Sequence, residues 1–575
     1  MKAWQASRIA AKVAIVVAAV GIAGLLGRGH AARAEATASC MPLAGTIWSA
    51  AVWSCGHVPT TADAVTIPSG MTLTVTGAAE AGALTLTTSG TRLSLGSGAT
   101  LSIAGVLSTT PSDPYASLVT GSGWLRFVGG SRDLFSTNWA GTTAGWRMEF
   151  ALDEGAVGTT ARVIKAGELR FTSGTVQTTG DIRPDSGLDN TGVLSVAAGA
   201  ILSTTGNIER VATAGVQAGS ITVSGTLITG GSRLSANTIT ILDGGTLRVR
   251  RATGLGIAGT LSYAPGATLA YAGTGAQTSG GELTDSVGGL AVENAAGVAL
   301  GKPVTVTGDL ALTTGPLAAG SHTVTLGSTA TCSGSGDVTG TVRRDELALG
   351  TPACFGNPDV QLTFASGTLP TAASVTLTTG ATPFSGAVQR AYAIAAPGFA
   401  GSATVRLHYL ASELNGNDST NLRLWRNAGD RWEVVGRSSG DSSAVTVTGV
   451  TAFSDWALAE HGSTTAATVA RFTAARIPSG VAVAWTTASE SFNAGFRVLR
   501  SSTLFSPATP LHDGLIPAQG DGTESSHDYV YVDAIGAAPG PLYYWIEDVD
   551  LAGVATRHGP AVVRDEQLFL PLVAQ

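Results

Sequence analysis

Lysine is nearly missing from this chain of 575 residues: after residue 34 only Lys165 and Lys302 occur. Charged residues of both signs make up 13%, about half the usual quarter. The net charge of −7 is spread thinly with no basic stripe, which excludes nucleic acid as a partner on electrostatic grounds. Aromatics are scarce at 6%, too few to fill a thick sandwich core from Asp63 to Arg344. Histidine is scarcer still there, with His57 just before that stretch and His322 within it. No His-Glu-x-x-His occurs, and no Gly-x-Ser-x-Gly elbow with a triad, so zinc-protease and hydrolase chemistry lack their motifs. A chain so poor in charge and so rich in Gly invites the idea of disorder. Disordered chains, however, lack β-branched residues and carry high charge, whereas this one has a mean hydropathy of +0.26. Abundant Thr, Val, Ala and Gly point instead to a β-rich fold with many turns.

What is present begins with an export signal. Lys2, Arg8 and Lys12 precede the apolar run Val13–Leu26, and small-residue sites follow at Ala32-Arg33-Ala34 and Ala34-Glu35-Ala36. The run is shorter than the roughly 20 residues of an ordinary membrane helix. Residues 1–36 therefore read as a signal peptide, with no membrane span after cleavage. In an exported chain the four cysteines favour disulfides. Three pairings are formally open, and proximity favours Cys40–Cys55 and Cys332–Cys354.

From Asp63 to about Arg344 short alternating strands recur (AVTIP, MTLTVT, ALTLT, TRLSL, ATLSIA), separated by Gly, Ser, Asp or Asn. They are self-similar without being identical, which is the mark of a solenoid. A thin coil stacked with Val, Leu, Ile and Ala fits the lack of aromatics. Residues 115–150 break that composition, with Trp124, Phe127, Phe135, Trp139, Trp146 and Phe150 close together. They read as an elaborated rung with a candidate binding face at Trp124, Trp139 and Trp146, or as an aromatic mini-core. Longer strands with charged turns over 346–460 read as a β-sandwich cored by Trp425, Trp432 and Trp456. A small-residue linker follows at 461–469, and a second sandwich at 470–565.

Several stretches carry resemblances. Trp48, Trp53, Gly56-His57-Val58-Pro59 and Ala62-Asp63-Ala64-Val65-Thr66-Ile67-Pro68 resemble the opening cap of bacterial surface β-helix proteins. Residues 271–317 and 336–364 resemble modules of large secreted repeat proteins. WTTAS at 485–489, FRVLRS at 496–501 and LYYWIEDVD at 542–550 resemble a fibronectin type III-like module. The ending LFLPLVAQ resembles the tails of exported proteins of filamentous green bacteria, which marks 566–575 as a candidate sorting signal. These resemblances imply an all-β, multi-module surface protein. Its expected plan is a right-handed parallel β-helix over 37–345 with an N-terminal Trp cap, followed by two β-sandwich domains.

Chemistry has few places to reside. A polysaccharide lyase or glycoside hydrolase needs converging carboxylates or a carboxylate with a base. The best candidates are Asp181, Arg183, Asp185 and Asp189, although Pro184 and the local Asp/Asn content equally describe a turn. Two acidic loops offer oxygen ligands for a structural Ca²⁺: Glu413, Asn415, Asn417 and Asp418, and then Glu547, Asp548 and Asp550. No other cofactor is implied. The sequence thus predicts a secreted or cell-surface structural and adhesive protein, with polysaccharide or cell-envelope components as partners. A polysaccharide-cleaving enzyme is the alternative.

Overall fold

The computed structural model describes residues 38–87, 90–110, 119–136, 147–184, 192–209, 219–384, 386–429, 432–460, 467–490, 493–504, 506–519, 526–536, 540–550, 553 and 555–564. The export signal, Trp139, Trp146, Asp185, Asp189, most of the 461–469 linker and the 566–575 tail lie outside these residues. The fold is almost entirely β. A parallel solenoid of about 12 turns covers 39–343, and antiparallel sheets follow.

The coil arises from period-two alternation repeated in register. In each early turn the chain crosses three strand positions, as in Ala64–Ile67, Thr72–Val75 and Ala78–Ala81. The next turn stacks on it in parallel, pairing Val65 with Leu84, Leu73 with Leu93 and Ala79 with Leu101. One inward column runs Val176, Leu202, Leu227, Leu247, Leu269, Leu290, Leu310 and ends at Cys332. Another runs Thr160, Thr178, Thr204 and Thr229, all buried. There the Thr178 and Thr204 hydroxyls accept the N–H groups of Gly180 and Gly206 at 2.9 Å, which satisfies polar atoms that burial would otherwise penalise. The corner is tight: a Cβ on Gly206 would lie 2.5 Å from the Gly180 carbonyl oxygen, so only glycine stacks there.

The aromatic stretch is divided by the same alternation. Phe127, Phe150 and Phe171 pair across successive strands inside the coil and stack at centroid separations of 5.2 and 4.8 Å. Phe135 meets Phe127 edge-on at 5.1 Å. They form one continuous aromatic layer of the core.

The open N-terminal end is closed by a small hairpin, Pro42–Ala44 against Val52–Trp53. Trp48 and Trp53 are buried with their rings 5.0 Å apart, and Cys40–Cys55 ties the hairpin to the first strand. Buried at this end of the coil, the two indoles cover its first turn, as terminal repeats require. At the other end Cys332–Cys354 joins the last leucine column to the antiparallel region.

The coil and the first antiparallel unit share a strand. Val338–Arg344 pairs in parallel with Leu317–Leu326 and antiparallel with Ala373–Thr379. One hydrophobic cluster accordingly runs without interruption from Cys40 to Leu458, and a separate one occupies 467–563. The expected boundary at 345/346 thus falls just past a strand that belongs to both sides. Of the three tryptophans expected in the first sandwich core, Trp456 lies there. Trp425 and Trp432 sit on the opposite face with Phe384, because neighbouring positions on paired strands point to opposite sides. In the terminal unit, Thr468–Ile477, Gly480–Ser489 and His527–Asp533 form one sheet, packed against a second built on Asn493–Ser501, Leu542–Asp550 and Ala555–Val563.

Candidate functional site

On the outside of the nine-stranded wall, strands Trp124–Gly129, Arg147–Leu152 and Glu168–Ser173 lie side by side. Their outward positions form two rows: Trp124, Arg147, Glu168 and, beside it, Arg126, Glu149, Arg170. The signs alternate, so each carboxylate meets a guanidinium. Arg126 lies 3.3 Å from Glu149, Arg147 lies 3.0 Å from Glu168, and Arg170 lies 2.6 Å from Glu168. The Arg170 guanidinium sits 4.2 Å from the centre of the Trp124 ring, and that of Arg147 sits 5.5 Å away. Towards the C-terminus the first row passes through Val193, and both rows then continue as hydroxyls: Ser195, Ser220, Thr222, Thr238, Thr240, Thr260 and Ser262. The face therefore offers an indole framed by two arginines, then a ladder of mostly short polar groups. It is chemically suited to many weak polar contacts along a polymer. Exposed ion pairs of this kind stabilise the fold by at most about 1 kcal/mol each.

Of the four residues read as catalytic candidates, Asp181 and Arg183 are described, and Asp185 and Asp189 lie outside the described residues. Asp181 and Arg183 pair with each other at 2.9 Å. The second Asp181 oxygen accepts the Asn207 N–H at 2.9 Å. Pro184 closes strand Ile182–Pro184, where it pairs with Ala166. Among the described residues Ile182 bridges onward to Ile208. Clefts of 330–510 Å³ open at 328–361, 426–455 and 471–530, away from this strand.

The acidic loops are similarly committed. Glu413 holds Arg390 at 2.7 Å, the Asn417 side-chain Oδ1 accepts the Glu460 N–H at 2.9 Å, and Asp418 accepts from Thr420 and Asn421. Asn415 turns the loop with φ 51° and donates to the Ala387 carbonyl. Glu547 pairs with Arg557, while the fully buried Asp548 points the other way to His558 and the Ala467 N–H. Asp550 lies on the same strand, partly buried. Among the described residues the one group of three potential metal-ligand side chains is Cys40, Cys55 and His57, and its two sulfurs are bonded to each other.

Sequence reasoning missed a buried charge network where the coil meets the first antiparallel unit. Arg390, fully buried, donates from Nη2 to Asp337 at 2.7 Å and from Nε to Glu413 at 2.7 Å. Its Nη1 donates to the Tyr392 hydroxyl at 3.0 Å, which donates to the His408 carbonyl at 2.7 Å. Asp337 also accepts from Asn357 at 3.0 Å and lies 3.1 Å from His408 Nδ1. Burial alone would raise the Asp337 carboxyl pKa, but the His408 hydrogen bond and the Arg390 charge outweigh it and hold it below the usual carboxylate range. A carboxyl depressed in the folded state contributes stability above its unfolded value and loses it in acid. Urea midpoints should therefore fall as pH drops below about 4, and the Asp337→Asn variant should show a flatter acid limb. An equally steep limb in that variant would remove Asp337 from the account.

The chain matches no protein-family model and no curated protein.

Proposed function

We propose that the chain is a non-catalytic structural and adhesive protein of the cell surface or extracellular space, in which the coil acts as a stalk. The observation that carries this reading is the outward face of the coil: its charged groups neutralise one another locally and then give way to a hydroxyl ladder. An active site would instead need carboxylates left free to converge on one groove. Twelve stacked turns at about 4.8 Å per strand spacing give a rod roughly 58 Å long. A rod built from in-register columns is stiff, and a repeated polar face makes many weak contacts that add by multivalency. The two disulfides suit an oxidising, extracellular compartment, in keeping with the export signal read at 1–36. On this reading the terminal unit is a fibronectin type III-like display module and the tail a sorting signal. The partners would be polysaccharide or other envelope components.

The test is incubation of the purified protein with a panel of acidic and neutral polysaccharides, with and without Ca²⁺. Retention on one or more polymers without new reducing or unsaturated ends is expected. Product formation that disappears in Asp181→Ala would replace this reading with the enzymatic one.

A further inference from the structure

Two arginines are buried at the seam between coil and antiparallel sheets, and they are treated oppositely. Arg390 faces two carboxylates. Arg344, only 3% exposed, has none among the described residues. Its Nε donates to the Cys354 carbonyl at 2.9 Å, Nη1 to the Gly327 carbonyl at 2.8 Å, and Nη2 to the Ala330 carbonyl at 2.6 Å and to Cys354 Sγ at 3.3 Å. A guanidinium carries five N–H donors, so these four bonds leave one on Nη1. Burial without a compensating carboxylate lowers the pKa of this group, the cost expected of a desolvated, unneutralised cation. Arg344 also lines a cleft of about 460 Å³ beside the Cys332–Cys354 disulfide, within the size range of small-molecule sites. Around it Ser328, Thr329 and Thr351 bring hydroxyls, Gln361 an amide, and Glu346 the lining carboxylate.

We propose that this cleft binds a small hydroxylated carboxylate of the sugar-acid class, whose carboxylate neutralises Arg344 while its hydroxyls meet the Ser, Thr and Gln groups. The charge on Arg344 supplies affinity, and the polar lining selects a hydroxylated anion over an apolar one. The site is separate from the Trp124 face and does not depend on the stalk reading.

Calorimetric titration of the full chain with sodium glucuronate should show saturable binding with a Kd on the order of 1 mM, and glucose should show none. Arg344→Gln should weaken binding at least tenfold. Because that change could also disturb the clip to Gly327, Ala330 and Cys354, Glu346→Gln provides the second arm: removing a negative charge from the lining should tighten binding two- to threefold. A polymeric glucuronate is titrated in parallel, and binding of both monomer and polymer shows that the cleft takes units within a chain. Binding of the monomer alone restricts it to free sugar acids and still supports the site. Absence of saturation with the monomer, equal binding of glucose, or weaker binding by Glu346→Gln would each overturn the proposal.

Discussion

Phe150→Ala should destabilise the protein by about 3–5 kcal/mol, the range for removing a large aromatic from a packed core. Phe150 is fully buried between Phe127 and Phe171, with ring centroids 5.2 and 4.8 Å away on either side. Truncation removes the middle of the stack, so both flanking rings lose a partner. The backbone cannot close the gap, because the turn spacing is fixed by parallel hydrogen bonds on both sides of Arg147–Leu152. Urea unfolding followed by tryptophan fluorescence would measure the loss, with Phe150→Leu expected to cost less than half as much. A loss below about 1 kcal/mol would mean that the layer relaxes freely, against the account of a core held in strict register.

Arg390→Met should be comparably severe, at about 3–5 kcal/mol, because it leaves carboxylates buried without their cation. Asp337 and Glu413 would lose the group each holds at 2.7 Å. The useful control is Arg406, which pairs with Asp359 and Asp441 in a network nearer the surface, Asp441 being 49% exposed. Arg406→Met should cost about 1 kcal/mol or less. Equal effects of the two substitutions would show that burial does not set the strength of the seam. Replacing Arg390, Asp337 and Glu413 together by apolar residues should recover part of the loss, since a buried ionic group gains little over well-packed hydrophobic side chains.

The coil was legible because its cause is local. Alternating strands such as MTLTVT and ATLSIA, with turn residues between them, state both the period and the buried face. The disulfide pairing was legible from proximity, whereas the Trp48/Trp53 cap was expected from a resemblance. The aromatic stretch was only half legible. Composition grouped Trp124 with Phe127 and Phe150, but strand parity sends the indole outward and both phenyl rings inward. The seam network could not be read at all, because Arg390 and His408 meet Asp337 across 53 and 71 residues. For the same reason the arginine that pairs with Glu413 could not be found from the loop that carries it. Local pattern assigns faces; partners brought together by topology leave no spacing to find.

Strand Val338–Arg344, parallel to one neighbour and antiparallel to the other, also bears on how such a chain could be rearranged over generations. A recombination event that joined a new module after Arg344 would strip Ala373–Thr379 from that strand, leave its backbone groups unpaired and break Arg390 from Asp337. Coil and first antiparallel unit should therefore be inherited as one indivisible piece, and the nearest point for exchange lies beyond Glu460, where the continuous core has already ended.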